Sequence, residues 1–544
     1  MKNKKILRKI VLHSVVALSV ASFILPTTAQ ADKTQSINVS TSGEIATLDS
    51  VDSVDTNSSD TIGQTTEGLY RLDKKGKPEL GIAKEEPTVS EDGKTYTFKL
   101  RESKWSNGDK LTANDFVYAF QKTLDPKEAS GSADQLDIFK NAQAIREGKA
   151  DKVSLGVKAL DDETLEIQLE NPISYLPQIL VGTHFVPQPS EYAQKLGADF
   201  GNQADSYVGN GPFTIKGWDG TNESWELVKN DNYWDAENVK LDTINVQVIK
   251  EVATGVKLFE DGQLDYTPVS DVFAAQKADD PEEHSVDKAL VGYVSANEKR
   301  EATGNVHLRK ALLRAINKEA FTSNVLADGS QPLDGYVPTE IGENPESSAD
   351  FRSDSGKLNP YNLKKAKKEW KKAQKELGQK ELTLELLSAD TDVAKKTVEY
   401  LQGQLEENLP GLTIEVKSVP LNNRLDLQAA GDFDLVFGTW TGDYADPYDF
   451  LKNYASTSGL NTAGYASDSY DDKLAVAQGE YANDPEKRWA TLLDAEEQLV
   501  KKDAAVLPIY QGAATYLKSD QVKGIKVLNI GRTVSYRLAH LVKK

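Results

Sequence analysis

Apolar and polar positions recur along this chain with two periods, and each predicts one kind of element. Residues 95–100 (TYTFKL) and 164–169 alternate every second position, as half-buried strands do. Residues 36–48 have the same alternating, β-branched character, and the polar stretch 49–60 that follows, with aspartates at 49, 52, 55 and 60, predicts a loop. A tight turn on Asn107-Gly108 precedes Thr112 to Asp115, which opens a helix carrying Phe116, Val117, Ala119 and Phe120. The spacing of Val306, Leu308, Ala311, Leu312, Ala315 and Ile316 predicts a second helix, and that of Leu363, Ala366, Trp370, Ala373 and Leu377, stopped by Gly378, a third. A strand over 243–249 leads into a helix over 252–259. Strands over 382–387, 413–416 and 434–437, with a helix at 394–408 between the first two, predict an α/β domain with a partly parallel sheet. The glycine-rich 208–213 (VGNGPF) lacks the Lys-Ser/Thr of a phosphate loop and reads as a crossover between structural units.

At 544 residues the chain is long enough for two or three domains. Its first 31 residues read as an export signal: Lys2, Lys4, Lys5, Arg8 and Lys9 precede an apolar run from Ile10 to Leu25 and the small-residue site Ala29-Gln30-Ala31. Cleavage there removes five positive charges and no negative ones, taking the net charge from −20 to −25. Such acidity disfavours nucleic acid and anionic lipid as the main partners. Zero cysteines exclude disulfides, thiolate chemistry and a lipid-modified cysteine after the signal. The protein is therefore expected outside the cytoplasm, secreted or at the cell surface.

Catalytic and metal-binding patterns are missing from the sequence. The five histidines, at 13, 184, 284, 307 and 540, are not at metal-ligand spacing, and there is no nucleophile elbow, zinc-protease motif or Walker loop. Neighbouring carboxylates carry little weight among 84 acidic residues. The aspartates of 49–60 lack the order of a calcium loop. The lysines of the 363–377 helix lie largely off its apolar stripe and read as a solvated face. No enzyme, cofactor or metal is expected. The feature that stands out is the buried run 433–437 (FDLVF) leading into Trp440, Gly442, Asp443, Tyr444 and Pro447. It sets an aromatic plate and a carboxylate together on a loop past a strand, suited to an ammonium ligand. The alternative is structural: Asp443 caps a helix starting near Pro447 and Trp440 is core.

Five segments in order, KWSNGDKLTANDFVYAF (104–120), LGVKALDDETLEIQL (155–169), VGNGPF (208–213), LRKALLRAINK (308–318) and WTGDYADP (440–447), resemble the oligopeptide-binding proteins of ABC importers, family 5 of the extracellular solute-binding proteins. The resemblance implies a two-lobed periplasmic-binding-protein-like α/β fold with an inserted domain. It places the first lobe at 32–66, 200–300 and 506–544, the insertion at 67–199 and the second lobe at 301–505. It implies that a monomer captures a peptide between closing lobes and delivers it to a membrane permease. It assigns the ligand's α-amino group to Asp443, a side-chain pocket to Trp440, flanking contacts to Gly442 and Tyr444, and main-chain pairing to the region of Val54 and Thr56. Phe437 and Gln428 stand where related proteins carry basic residues for the ligand's carboxylate, so no clamp is expected there. A signalling peptide, a sugar or a metal chelate remains an alternative ligand, and an exported hydrolase or a chaperone an alternative class.

Overall fold

The computed structural model describes residues 35–542, so the expected export signal lies outside the described residues. Within them the backbone is organised around one sheet that serves two cores. Its strands pair in the order Leu412–Val419, Leu382–Ala389, Leu435–Thr441, Glu283–Ala296, Val506–Lys518, Tyr266–Val269, Ser36–Thr41, Thr243–Val248, Ser224–Lys229 and Phe213–Lys216. Toward each end the pairing includes parallel strands: 382–389 with 412–419 and 435–441, and 36–41 with 243–248 and 266–269. In the middle, Glu283–Ala296 and Val506–Lys518 run antiparallel and are long enough to belong to both halves. Their register shifts between Asp287 and Val291. There Ala289 N–H donates to Asn529 O at 2.7 Å and Gln511 Nε2 to Lys288 O at 3.0 Å. A break of this kind bends a strand and weakens its ladder.

Hydrophobic clusters match this division. One gathers Ile37, Val39, Phe213, Trp225, Ile244, Tyr516 and Tyr536. A second gathers residues of 289–510, among them Leu308, Leu312, Trp370, Leu384, Val398 and Leu435. It also takes Ala289, Val291, Val294 and Ala296 from one long strand and Val506, Leu507 and Ile509 from the other. The change of core therefore falls inside both strands, near the register break. A third cluster lies within 69–208, over a four-stranded sheet (Thr88–Val89, Thr95–Lys99, Thr164–Gln168, Val157–Asp161) and the helix Ala113–Thr123. Phe120, Phe139 and Phe185 form an aromatic knot within it.

The crossover read from VGNGPF is where the chain returns from this third unit. Asn210 bonds Glu67 twice, accepting from its N–H at 3.0 Å and donating to its O at 2.9 Å, and Gly211 N–H donates to Thr65 O at 2.8 Å. Outgoing and returning strands of chain are thus clamped side by side. Arg71 pairs with Glu79 and Asp235, each at 2.9 Å, and Arg537 with Glu79 at 2.8 Å, adding a part-buried charge network across the same junction.

Two local expectations are corrected. The strand read over 36–48 ends at Thr41, and the loop read over 49–60 gives way at Thr56 to the helix Thr56–Thr65, capped by Asp55 through Ser58 N–H at 2.8 Å. That helix has no regular apolar stripe, so its sequence (TNSSDTIGQT) hid it. The lysine-rich helix Leu363–Leu377 buries Ala366, Trp370 and Ala373 as its spacing predicts.

Candidate functional site

Asp443 is held by the strand that precedes it and the helix that follows. Leu435–Thr441 buries its first four residues and ends at Gly442, whose N–H donates to Ala289 O at 2.9 Å. A Cβ on Gly442 would lie 2.7 Å from the Phe450 ring and 3.2 Å from Asp449 Oδ2, so the chain passes here only as glycine. The next N–H, of Asp443, donates to Asp449 Oδ2 at 2.7 Å. Asp449 is fully buried and its other oxygen holds Lys452 Nζ at 2.6 Å.

The helix Pro447–Leu451 is capped by Asp446, whose Oδ1 accepts Tyr448 N–H at 2.9 Å. The structural role considered for Asp443 therefore belongs to Asp446, three residues on. Arg488 grips Asp446 with two bonds of 2.8 Å, both groups nearly buried. The neighbours thus fix the loop through its backbone and leave the Asp443 carboxylate without a hydrogen bond. Among the described residues no group donates a hydrogen bond to it, and its nearest cation, Lys452 Nζ, stands at 3.9 Å.

That carboxylate opens on a cavity of about 450 Å³. Thr441, Gly442, Asp443, Tyr444 and Ala445 line one side; Val54, Asp55, Thr56 and Ser59 line a second; Gln178, Thr183 and His184 a third; and Ile530, Gly531 and Arg532 close it. Of the residues expected at the site, Val54, Thr56, Gly442, Asp443 and Tyr444 are brought together. Trp440 is not in the lining: it packs against the 289–510 core and pairs across the sheet with Val291. Thr56 belongs to the first turn of its helix, and Val54 is 71 % exposed at the cavity's edge.

Burial raises the Asp443 pKa, Lys452 and His184 pull it down, and Asp134 pushes it up. Burial lowers that of His184, keeping it neutral near pH 7. His184 Nδ1, Gln178 Oε1 and Asp55 Oδ2 are buried with no hydrogen-bond partner among the described residues. Three lining side chains therefore have unused polar capacity, which a ligand or water can fill. The sequence reading missed His184, Gln178 and Arg532, because they lie far from WTGDYADP in sequence and belong to no motif.

The family described as bacterial extracellular solute-binding proteins, family 5 Middle, matches residues 77–462. The chain belongs to that family. A dipeptide-binding protein of Lactococcus lactis subsp. cremoris is 34% identical, over 88% of this chain and 88% of the relative. OppA of Listeria monocytogenes bound to peptide is 37% identical, with a TM-score of 0.74 over 94% of this chain and 100% of the other. The pheromone receptor PrgZ, described for its mode of peptide binding, is 35% identical, with a TM-score of 0.75 over 94% and 100%. The two-lobed α/β expectation holds. Members of this family are exported solute-binding proteins rather than enzymes, and its periplasmic relatives include OppA of Escherichia coli, 32% identical. Among the described residues no group of side chains is arranged to hold a metal ion, and no helix is long and apolar enough to cross a membrane.

Proposed function

We propose that this protein captures peptides outside the cytoplasm in the cavity at Asp443 and delivers them to the permease of an ABC importer. One observation carries the reading most: a carboxylate that accepts no hydrogen bond among the described residues and meets only Lys452, at 3.9 Å, lines a cavity together with residues of 54–59, 178–184 and 530–532. Asp443 takes the ligand's α-ammonium group, a charge-assisted pairing that strengthens as water is excluded. Backbone groups near Val54 and Thr56 face it from the opposite side, and Gly442 and Tyr444 flank the carboxylate. Trp440 acts behind the cavity wall.

The three clusters support a first lobe built from the segments before residue 67, from 200 to the register break, and after 512. The insertion spans 67–199 and the second lobe lies between the breaks. Two long strands as the links between lobes suit closure by a small bend in each. The ligand favours the closed state because it bonds both lobes at once. The protein acts as a monomer, without catalysis, and its net charge of −20 keeps polyanions away. The likeness to PrgZ favours a signalling peptide as the second reading of the same site.

Native mass spectrometry of the purified protein, followed by calorimetry with free and N-acetylated peptides, tests this. The expectation is binding of free peptides and marked weakening on acetylation. Equal affinity for both forms overturns the role of Asp443, and no peptide binding at all overturns the reading.

A further inference from the structure

The helix Thr56–Thr65 covers a sheet, yet the stripe it turns inward is polar. Asn57, Asp60, Thr61 and Gln64 recur at helical spacing, and all four line one cavity of about 410 Å³. Trp225, Val246, Tyr266 and Tyr516 form its floor. Trp225 pairs with Val246, Val246 with Val39 and Val39 with Tyr266, which puts their side chains on one face of the sheet, and Pro268 pairs with Tyr516 two residues along. The ribbon of Lys526–Val527 with Val534–Ser535 closes a third side. The volume falls within the range of small-molecule sites, about 300 to 1,000 Å³. This cavity borders the one at Asp443: Thr56 lines both, and Arg532 lines that one where Thr533 lines this one.

Several polar groups around this cavity are satisfied within the protein. Gln64 Nε2 donates to Val534 O at 2.8 Å, and its Oε1 accepts the Tyr536 N–H at 3.0 Å. Thr41 Oγ1 donates to Asn57 Oδ1 at 2.9 Å and Ser40 Oγ to Thr267 Oγ1 at 2.7 Å. Four aromatic residues of the lining differ. The hydroxyls of Tyr266, Tyr516 and Tyr536 bond no described residue, and Trp225 Nε1 is buried without a partner. All four residues are more than nine-tenths buried. Asp60 stands among them. Its carboxylate accepts the Thr533 N–H at 2.6 Å and the Thr533 hydroxyl, and it forms no ion pair among the described residues. Arg532 and Lys288 act on it only from farther off, each donating to a backbone carbonyl instead, Gly63 O at 2.6 Å and Leu528 O at 2.9 Å. Burial raises the Asp60 pKa against those bonds and charges; burial and, after it, the charge of Asp60 raise that of Tyr266. The phenol therefore keeps its proton and can both donate and accept.

We propose that this cavity is a second ligand site, separate from the one at Asp443, for a small organic amine: a compound with one ammonium group and an apolar body. Asp60 takes the ammonium group through the lone pairs that Thr533 leaves open, and the phenols offer acceptors for its remaining N–H groups. Leu227, Val246, Val527 and Val534 surround the apolar part. Trp225 Nε1, a donor only, suits an acceptor at the ligand's other end. An anion is disfavoured because Asp60 faces it. A purely apolar ligand is disfavoured too, since it leaves the carboxylate, three phenols and an indole N–H without partners. A helix that covers a core ordinarily turns an apolar stripe to it. Here the stripe is polar and supplies the ligand's partner instead. The inference goes beyond the peptide reading and does not depend on it.

The test is saturation-transfer NMR on the purified protein with three probes of similar shape: cyclohexylmethylamine, cyclohexylmethanol and cyclohexanecarboxylate. Wild type is expected to bind the amine at least about tenfold more tightly than the alcohol, the scale of one charge-assisted contact, and the carboxylate not at all. Asp443 offers a rival place for an amine, so the titration is repeated in Asp443→Asn, where the preference should persist. In Asp60→Asn amine and alcohol should bind within about twofold of each other. Tyr266→Phe removes one hydroxyl, keeps the ring, and should weaken the amine about threefold. Equal binding of amine and alcohol by wild type overturns the site and needs no variant to fold. A preference that survives in Asp60→Asn also overturns it, marking loose attraction to an acidic surface, and so does unchanged amine affinity in Tyr266→Phe. A preference that disappears in Asp443→Asn overturns it by placing the amine in the neighbouring cavity.

Discussion

The ring of Tyr175 lies on that of Tyr444, centroids 5.3 Å apart and planes 14° apart, and this stack ties the 67–199 unit to the segment carrying Asp443. Cations cover both outer faces: Arg488 is 4.6 Å from the Tyr175 ring centroid and Lys452 4.9 Å from that of Tyr444. Gln478 Nε2 donates to the Tyr175 hydroxyl at 2.6 Å. Aromatic stacking with flanking cations contributes beyond the area it buries.

Tyr175→Ala is expected to destabilise the protein by about 3 kcal/mol, through lost packing and the loss of a stacking partner. Tyr175→Phe, which keeps the ring and loses the Gln478 bond, should cost only about 1 kcal/mol. Thermal unfolding of both variants checks the order. An alanine variant that melts with wild type would show the stack to be incidental.

Asp443→Asn is nearly isosteric, and among the described residues no hydrogen bond to its side chain is lost. Its melting temperature should stay close to wild type. Peptide affinity should drop on the order of a hundredfold, the usual scale for removing one partner of a desolvated ion pair. Calorimetry at neutral pH measures it, and an unchanged Kd rules the carboxylate out as the amine's partner.

Affinity should also fall on mild acidification. Binding an ammonium group needs the ionised carboxylate, and burial raises the Asp443 pKa above the ordinary aspartate range of about 4. Protonation, and with it the loss of affinity, therefore starts at higher pH than for an exposed aspartate. The facing groups are Lys452, Asp134 and His184; the histidine, held neutral by burial, adds positive charge only at lower pH. Titrations from pH 7.5 down to 4 should show affinity declining in wild type at a higher pH than an ordinary aspartate gives, and a flat, weak response in Asp443→Asn. A flat wild-type profile would contradict the raised value.

Glu298 gives stability its own pH dependence. Burial raises its pKa to about 7, although Arg309 stands 3.2 Å away, and Asp503 adds repulsion. The unfolded chain titrates this group near its ordinary value of about 4.3. The folded protein thus binds the proton more tightly, and the stability gained is fully present below the unfolded value and lost as pH rises through about 7. The difference amounts to about 4 kcal/mol at most. Glu298→Gln should flatten the change in melting temperature between pH 5 and 8; an identical slope in both proteins would refute the assignment.

Strongly periodic segments were legible in the sequence because one face of each meets a core. Leu363–Leu377, Val306–Ala315 and Thr164–Gln168 fall close to where their spacing predicts. The long strand Glu283–Ala296 was not seen, since its sequence EHSVDKALVGYVSA serves two cores and is broken by a register shift, so no single alternation runs through it. At the site, WTGDYADP revealed a carboxylate beside aromatics. It could not tell that Asp446 caps the helix and leaves the Asp443 carboxylate without a hydrogen bond, because both aspartates precede the helix and only packing against Arg488 and Asp449 separates their roles.

By itself the sequence determined the strongly periodic elements, the family and the loop that carries Asp443, because those depend on local periodicity and on residues adjacent in the chain. Tertiary structure alone decided that His184 and Gln178 face Asp443 across a cavity and that Trp440 stands behind its wall. It also decided that Asn57, Asp60, Thr61 and Gln64 turn a polar stripe to a second cavity. Such relations depend on which faces of distant segments pack together, and on which charges that packing leaves without a partner.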